Sequence, residues 1–305
     1  MTTPFARLSA CVYVLALSSS GALAQEKPLT RTFEPGAKES YQANLRLEVE
    51  VRGVRPETVA GKTALNPYTH SAAIEASWIA VRRVDVVAND GAAAIDERLE
   101  SGNVRCPQQD VSQPDEKALH DSLEAICTRM KLWVPLHYEE RPDGLIREIS
   151  SQHDLPLGEA SPLLLTLWLR RNLRPSVIFP KESFHLGLVS QRPVHANNMN
   201  GSETIEWLEG SNDPPAAALH VVQDLSWNEP AAREALNNAG GTPPGATTFY
   251  ADSKTTVSLL DGSVLSAVRT ASRETKRTPG PVQGLPKSPE FASKLTVTIT
   301  FRKIS

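Results

Sequence analysis

The sequence predicts a mainly β protein built from antiparallel strands, and three observations carry that prediction. Apolar and polar residues alternate strictly from Tyr41 to Val51, and the same alternation returns from Phe291 to Phe301. A period of two is typical of a strand with one buried face and one solvated face, as in antiparallel sheets. The third observation is that Pro142-Asp143-Gly144 and Asp261-Gly262 lie between apolar runs, where glycine accepts the positive φ of a tight turn. Consecutive strands are therefore expected to be joined mostly by hairpins.

Further apolar runs lie between these two strands and raise the predicted total to about ten or eleven. The runs are Ile74 to Val86, Ala93 to Leu99, Leu132 to Tyr138, Leu145 to Ile149, Phe184 to Val194, Thr204 to Leu208, Ala217 to Trp227, Thr247 to Leu259 and Val264 to Thr275. No shift in composition divides the chain after residue 24, so we expect residues 25–305 to form a single domain.

Two segments lack the alternation and predict helices. Pro114 to Ile126 places apolar residues on one face, and Ser112 precedes it in a pattern that resembles a capping box. Ser161 to Asn172 begins with a capping serine followed by proline. This second helix is apolar on nearly all sides and must be buried on most of them. Its apolar residues are Leu163, Leu164, Leu165, Leu167, Trp168 and Leu169. A third short helix is expected at Glu229 to Leu236.

Residues 1–24 predict a cleavable signal peptide. Arg7 is followed by an apolar run from Leu8 to Leu17, and Ala22-Leu23-Ala24 is the small-residue pattern that a signal peptidase accepts. The run is about half as long as the roughly 20 apolar residues that a membrane-spanning helix needs. We therefore expect an exported protein, periplasmic or secreted, with no transmembrane segment after cleavage.

Cleavage would remove Cys11 and leave Cys106 and Cys127. Two cysteines in an oxidising compartment usually pair. A bridge that closes a loop of about 20 residues contributes on the order of 3 kcal/mol in the chain-entropy model. A metal pair and a reactive dithiol are the alternatives, but only His120 lies near enough in sequence to add a ligand. The structural disulfide is the favoured interpretation.

Charges of both signs are scattered along the chain, which has a formal net charge of −3. No basic stripe is present that would attract the phosphate backbone of a nucleic acid, and no polybasic cluster is present that would bind anionic lipid. We therefore expect no nucleic-acid partner.

No sequence motif predicts catalysis, a cofactor or a metal site. The seven histidines lack the spacing of a zinc-binding helix, and the nucleophile elbow and the phosphate-binding glycine loops are absent. His137, Glu139 and Glu140 offer metal-ligand side chains, but His137 and Glu139 share the polar face of a strand, which favours a solvated surface. We assign no catalytic, cofactor-binding or metal-ligating residue, and an enzyme is the less favoured interpretation.

The cleavable signal, the long amphipathic strands and the short apolar helix give the chain a layout that resembles periplasmic lipoprotein-carrier-like half-barrel proteins. The resemblance covers most of the chain after residue 24. It implies a curved antiparallel sheet or half-barrel with the Leu163–Leu169 helix packed on its concave face. The apolar faces that begin at Tyr41 and Phe291 would line the hollow. Fold analogy does not establish function, so no residue role is transferred.

Three functions are compatible with these features. We favour a non-catalytic binding module for a lipid or another apolar small molecule, because the Ser161–Asn172 helix has an excess of apolar surface. A structural or protein-interaction module of the cell envelope, with an envelope protein as partner, explains the same helix as ordinary core. A hydrolase whose site is assembled from loops is the third hypothesis.

Overall fold

The computed structural model describes residues 28–59, 62–106, 136–148, 172–181, 184–196, 199–227, 246–277 and 291–305, with residues 117, 120–121, 123–124 and 126–128 of one helix. These ranges hold eleven strands, which confirms the mainly β prediction. The strands are β1 (Lys38–Val59), β2 (Lys62–Val87), β3 (Ala93–Arg105), β4 (Leu136–Glu140), β5 (Ile146–Glu148), β6 (Val189–Ala196), β7 (Met199–Asn212), β8 (Pro215–Trp227), β9 (Ala246–Ser258), β10 (Val264–Arg277) and β11 (Phe291–Lys303).

All eleven strands belong to one antiparallel sheet in the order β5-β4-β3-β2-β1-β11-β10-β9-β8-β7-β6. The two strands with the clearest alternation, β1 and β11, pair at its centre, from Tyr41 opposite Lys303 to Arg52 opposite Ala292. The sheet is open, because β5 and β6 are its two edges. Every other pairing joins strands that are consecutive in the chain, as the turn signals predicted.

The first hairpin is longer than its neighbours. β1 and β2 pair from Lys38 opposite Arg83 to Val59 opposite Lys62, whereas β11 begins at Phe291 and β3 ends at Arg105 opposite Glu75. The outer part of the hairpin is therefore a two-stranded ribbon. Pro56 and Pro67 lie in this ribbon without interrupting the pairing. Proline is compatible with an edge strand because its nitrogen, which carries no N–H, can face away from the partner strand.

The two faces of the sheet differ as the alternation predicted. Residues at the apolar positions of the central strands are buried, among them Leu47, Ile74, Val297 and Ile299. The residues between them form a polar outer face, on which Arg46 pairs with Glu75 at 3.0 Å. We call the apolar side the inner face.

Residues 28–37, the N-terminal strap, show that the sheet is strongly curved. The N–H of Arg31 donates to the carbonyl of Pro142 at 2.8 Å, and the N–H of Thr32 donates to the carbonyl of Asp261 at 2.9 Å. Pro142 lies in the β4–β5 turn and Asp261 in the β9–β10 turn, on opposite halves of the sheet. Two consecutive residues reach both turns only if the sheet curls, so the inner face is concave. We call the end crossed by the strap the strap end, and the opposite end the far end.

Helix is scarce in the described residues, which corrects the expectation of two or three short helices. Part of 117–128 is helical, in agreement with the first predicted helix, and its Leu123 is buried against the inner face. Of the second predicted helix only Asn172 is described, and it is helical. The remainder of Ser161 to Asn172, the segment Glu229 to Leu236 and residues 1–24 lie outside the described residues.

Residues 172–181, the cover segment, cross the inner face. Leu173, Val177 and Phe179 pack against the core of the sheet, and the N–H of Phe179 donates to the carbonyl of Asp143 at 3.0 Å. None of the helical stretches described has the length and apolar character that a membrane span requires.

Candidate functional site

A buried ionic network fills the strap end of the inner face. Glu39, Arg82 and Glu97 are directly opposite one another on β1, β2 and β3, so that a cation stands between two carboxylates. The nitrogens of Arg82 lie 3.6 Å from a Glu39 oxygen and 3.7 Å from a Glu97 oxygen. Arg82 is 2% exposed. A buried charge is costly unless it is paired and hydrogen-bonded, so all three charged side chains of this row need partners.

Strand β4 and the cover segment complete the contacts of Arg82. Its Nε donates to the Tyr138 hydroxyl at 2.8 Å, and that hydroxyl donates to Glu97 at 2.8 Å. A second nitrogen donates to the Glu140 carboxylate, and a third to the Pro175 carbonyl at 3.2 Å. The network thereby joins four strands of the sheet, β1 to β4, to the cover segment.

The strap supplies a cation to the same network. Arg31 donates to both Glu39 oxygens at 2.6 Å, and Lys303 at the end of β11 donates to Glu39 at 2.9 Å. Burial alone would raise the pKa of Glu39, but Arg31 and Arg82 outweigh it and lower the pKa to about 2. Burial raises the pKa of Tyr138, whose hydroxyl therefore stays neutral and able to donate. The charged groups at this end of the inner face are buried and paired with one another, so their role is structural.

Arg269 anchors the cover segment near the middle of the sheet. It lies on the inner face of β10, is 2% exposed, and donates to the carbonyls of Asn172 at 3.1 Å, Arg174 at 2.9 Å and Ser176 at 2.5 Å. Burial lowers the pKa of Arg269 to about 10. The positive charge faces three backbone carbonyl oxygens, which carry the negative ends of the peptide dipoles.

Small alanine side chains line the concave face beside Arg269, and we call them the alanine floor. They are Ala43, Ala72, Ala76, Ala80, Ala217, Ala251, Ala267 and Ala271, all at most 8% exposed. Alanine brings little volume to a core, so a floor of this kind leaves room for another element to approach the backbone closely. The described elements that cover the floor include Leu123, Phe179 and Phe184.

Towards the far end the inner face stays apolar but becomes half-buried. Val49 and Leu295 pack against the core and remain partly accessible, as do Tyr68 and Phe291 beyond them. Gly53 lies between the two aromatic rings. A Cβ on Gly53 would lie 2.8 Å from the Tyr68 ring and 2.9 Å from the Phe291 ring. A side chain at position 53 would therefore force at least one of the two rings to move.

Arg273 lies on this half-buried part of the inner face. Phe249 is its neighbour on β9 and Leu295 its neighbour on β11, so the arginine interrupts an otherwise apolar row. Burial lowers the pKa of Arg273. Across the described ranges, no carboxylate or other hydrogen-bond acceptor pairs with its guanidinium. By contrast Arg269, four residues earlier on the same face, donates hydrogen bonds to three carbonyls.

The predicted disulfide is present. Cys106 and Cys127 are bonded, with their Cα atoms 5.8 Å apart. The bridge ties the helical residues of 117–128 to the end of β3. The His120 ring lies 5.4 Å from the His70 ring of β2, and Leu123 is 2% exposed. The helix is thus held over the inner face by a covalent bond and by packing.

A shallow depression on the outer face, with a volume of about 400 Å³, is the other cavity of note. It is lined by polar residues that contact one another. Arg46 pairs with Glu75, and the Asn44 amide donates to Thr300 at 3.2 Å. Because these groups already satisfy one another, the inner face is the stronger candidate site.

The structure does not place the predicted apolar site helix. Leu163, Leu164, Leu165, Leu167, Trp168 and Leu169 lie outside the described residues. His137 is more than half exposed and faces outward, as its position in the alternation predicted. Glu140 instead points inward and is buried.

Sequence reasoning missed the inner-face charges, although a signal for them existed. Arg82, Glu39 and Arg269 each occupy an apolar position of their strand's alternation, and so does Arg273. A charged residue at a buried position of a strand must find partners or mark a site.

Comparisons with known proteins leave the chain without a family. No family model matches it, and no curated protein matches it. Among solved structures it is similar to the InvG secretin domain β-barrel of the Salmonella SPI-1 injectisome, with a TM-score of 0.16, 10% identity, and coverage of 88% of this chain and 63% of that one. The open-gate InvG secretin gives a TM-score of 0.15 at 8% identity, with coverage of 90% of this chain and 61% of that one. The chain therefore spans less than two thirds of either match, and scores this low support no inference about fold or function.

Proposed function

We propose that this chain is an exported, non-catalytic module that binds an apolar ligand, such as a lipid, on the concave inner face of its sheet. One observation carries the proposal. Beyond the ionic network of the strap end and Arg269, the inner face is largely apolar; it is buried near the middle of the sheet and only half-buried at the far end, where Val49, Leu295, Tyr68 and Phe291 lie. Ligand sites are concave, mostly apolar and equipped with few polar groups.

The arrangement of the cover supports this proposal. The cover segment is held by Arg269, and the helical residues of 117–128 are held by the disulfide. Both are attached to the sheet at defined points, and the small side chains of the alanine floor let the cover approach the strand backbones closely. A ligand that enters from the far end would replace contacts that the cover makes with this floor. Export is supported by the signal-like first 24 residues and by the disulfide, since disulfides persist in oxidising compartments.

The first experiment is native mass spectrometry of the protein purified oxidised from an exported preparation. A co-purified apolar adduct is the expected result. Binding of the neutral fluorescent probe N-phenylnaphthylamine is then measured on two variants of neighbouring residues, Leu295→Gln on the inner face and Thr296→Gln on the outer face. We expect Leu295→Gln to weaken probe binding roughly tenfold, because it places an amide on the apolar surface.

Thr296→Gln is the matched control, since it introduces the same side chain one residue away on the opposite face. It should bind the probe as the unmodified protein does. Equal affinity in both variants, or no binding by the unmodified protein, would contradict the proposed function. The structural or interaction module of the envelope would then be the better explanation of the buried face.

A further inference from the structure

We propose that the ligand is an amphiphile with an anionic head group, and that Arg273 binds this head group while the apolar chain lies along the inner face. The inference rests on the proposed function and adds the chemical class of the ligand. The inference is based on the position of Arg273 between Phe249 and Leu295, in a row of the inner face that is otherwise apolar.

No group among the described residues compensates the charge of Arg273. Three other arginines at or against the inner face have acceptors: Arg82 has carboxylates, Arg31 has Glu39, and Arg269 has three carbonyls. Within the ranges that the structure describes, the guanidinium of Arg273 has none. A cation that is half removed from water without an anion loses solvation and gains nothing in return, so an external anion would be stabilised there.

The surroundings of Arg273 change in character along the strands, as an amphiphile requires. From Phe301 to Leu295 the inner positions of β11 are apolar, over about 20 Å at 3.3 Å per residue. One leaflet of hydrocarbon in a bilayer is about 15 Å thick, so the stretch is long enough for a single acyl chain. On the other side of Arg273, the next inner row carries the hydroxyl residues Thr247, Thr275 and Ser293. The Oγ1 atoms of Thr247 and Thr275 are hydrogen-bonded at 3.3 Å.

A guanidinium at such a boundary suits a carboxylate or a phosphate, because its planar fork donates two parallel hydrogen bonds to either group. Fatty acids and lipid phosphates share this chemistry. The exposed hydroxyl of Ser293 in the next row offers a further donor to the same head group. An apolar chain that runs from Leu295 towards Phe301 would replace contacts that the cover makes there. A neutral apolar ligand would contact the apolar row and leave the guanidinium of Arg273 without an anion.

The test measures displacement of N-phenylnaphthylamine by decanoate, decyl phosphate and the neutral decanol, on the unmodified protein and on Arg273→Gln, Arg273→Lys and Lys294→Gln. We expect the unmodified protein to bind at least one of the two anions roughly tenfold more tightly than decanol. Arg273→Gln should abolish this preference while decanol affinity stays the same. Arg273→Lys should retain part of the preference, because it keeps the charge but not the fork.

Lys294→Gln is the control for general electrostatics. It removes one positive charge from an exposed outer-face position adjacent to Leu295, and the preference for anions should persist. Preference for decanoate or for decyl phosphate identifies which anion the site takes. If decanol and both anions bind equally, or if Arg273→Gln keeps the preference, the inference is overturned and the proposed function stands. If decanol does not displace the probe at all, both are overturned.

Discussion

Arg82 and Tyr138 form a buried hydrogen bond of 2.8 Å between the guanidinium of β2 and the phenol of β4. The two strands are not neighbours, because β3 lies between them. The Tyr138 hydroxyl therefore joins the cation on one strand to Glu97 on the strand between. A single hydroxyl thus holds a donor and an acceptor in place at the strap end.

The Tyr138→Phe variant should lose about 1–3 kcal/mol of unfolding free energy, because it leaves buried hydrogen-bonding groups of Arg82 and Glu97 without their partner. Urea denaturation measures the change. Tyr250→Phe is the control, since it removes the same hydroxyl from an outer-face residue that is 43% exposed, and it should change stability by less than about 0.5 kcal/mol. Equal effects in the two variants would argue against a structural role for the network.

The ionic network predicts that stability falls in acid. The folded pKa of Glu39 is about 2 against an ordinary 4.5, so the unfolded chain takes up a proton first as the pH falls. The stabilisation is fully present above about pH 4.5 and is lost as the pH falls towards 2; its size is on the order of 3 kcal/mol. Glu39→Gln should lower stability at neutral pH and flatten the dependence on pH between 4.5 and 2.

Urea midpoints recorded across that pH range provide the measurement for Glu39. Glu75→Gln serves as the comparison, because Glu75 pairs with Arg46 on the outer face and is 48% exposed. Its curve should run parallel to that of the unmodified protein. A Glu39→Gln curve as steep as the unmodified one would remove Glu39 from the explanation.

Reduction of the disulfide should cost about 3 kcal/mol, since the bridge spans 21 residues of sequence and restricts the unfolded chain. Chemical denaturation with and without reductant measures this loss. The double variant Cys106→Ala, Cys127→Ala should match the reduced protein and respond to no reductant. Intact mass should rise by two hydrogens on reduction, and an unchanged mass would mean that the bridge does not form in the purified protein.

Arg269→Met should cost about 3 kcal/mol or more, because three carbonyls of the cover segment, two of them in buried hydrogen bonds, lose their donor. Arg269→Lys should recover only part of this loss, since one ammonium does not reproduce the reach of the guanidinium. Limited proteolysis provides a second measurement, with faster cleavage expected within residues 172–176. Arg302→Met, at an exposed outer-face position, is the control. If cleavage is no faster in Arg269→Met, Arg269 does not anchor the cover.

Most of the sheet was predictable from local pattern, and most of the candidate site was not. A strand with one solvated face shows an alternation of apolar and polar residues. The strands Tyr41–Val51 and Phe291–Phe301 were therefore recognised without knowing that they pair. The ribbon beyond Val51 was missed, because Pro56 and Pro67 disrupt the pattern there. Arg273 escaped notice for another reason, since its surroundings come from β9 and β11, residues that the chain brings together only on folding.

The sequence by itself determined the strand content, the hairpin turns, the separation of a polar face from an apolar one, and the pairing of Cys106 with Cys127. These depend on properties of neighbouring residues or on a count of thiols. The tertiary structure decided the curvature, through the strap's bonds to Pro142 and Asp261. It also decided which buried charges meet partners and which do not. Register alone sets these contacts, because a shift of one residue would move every inward side chain to the outer face.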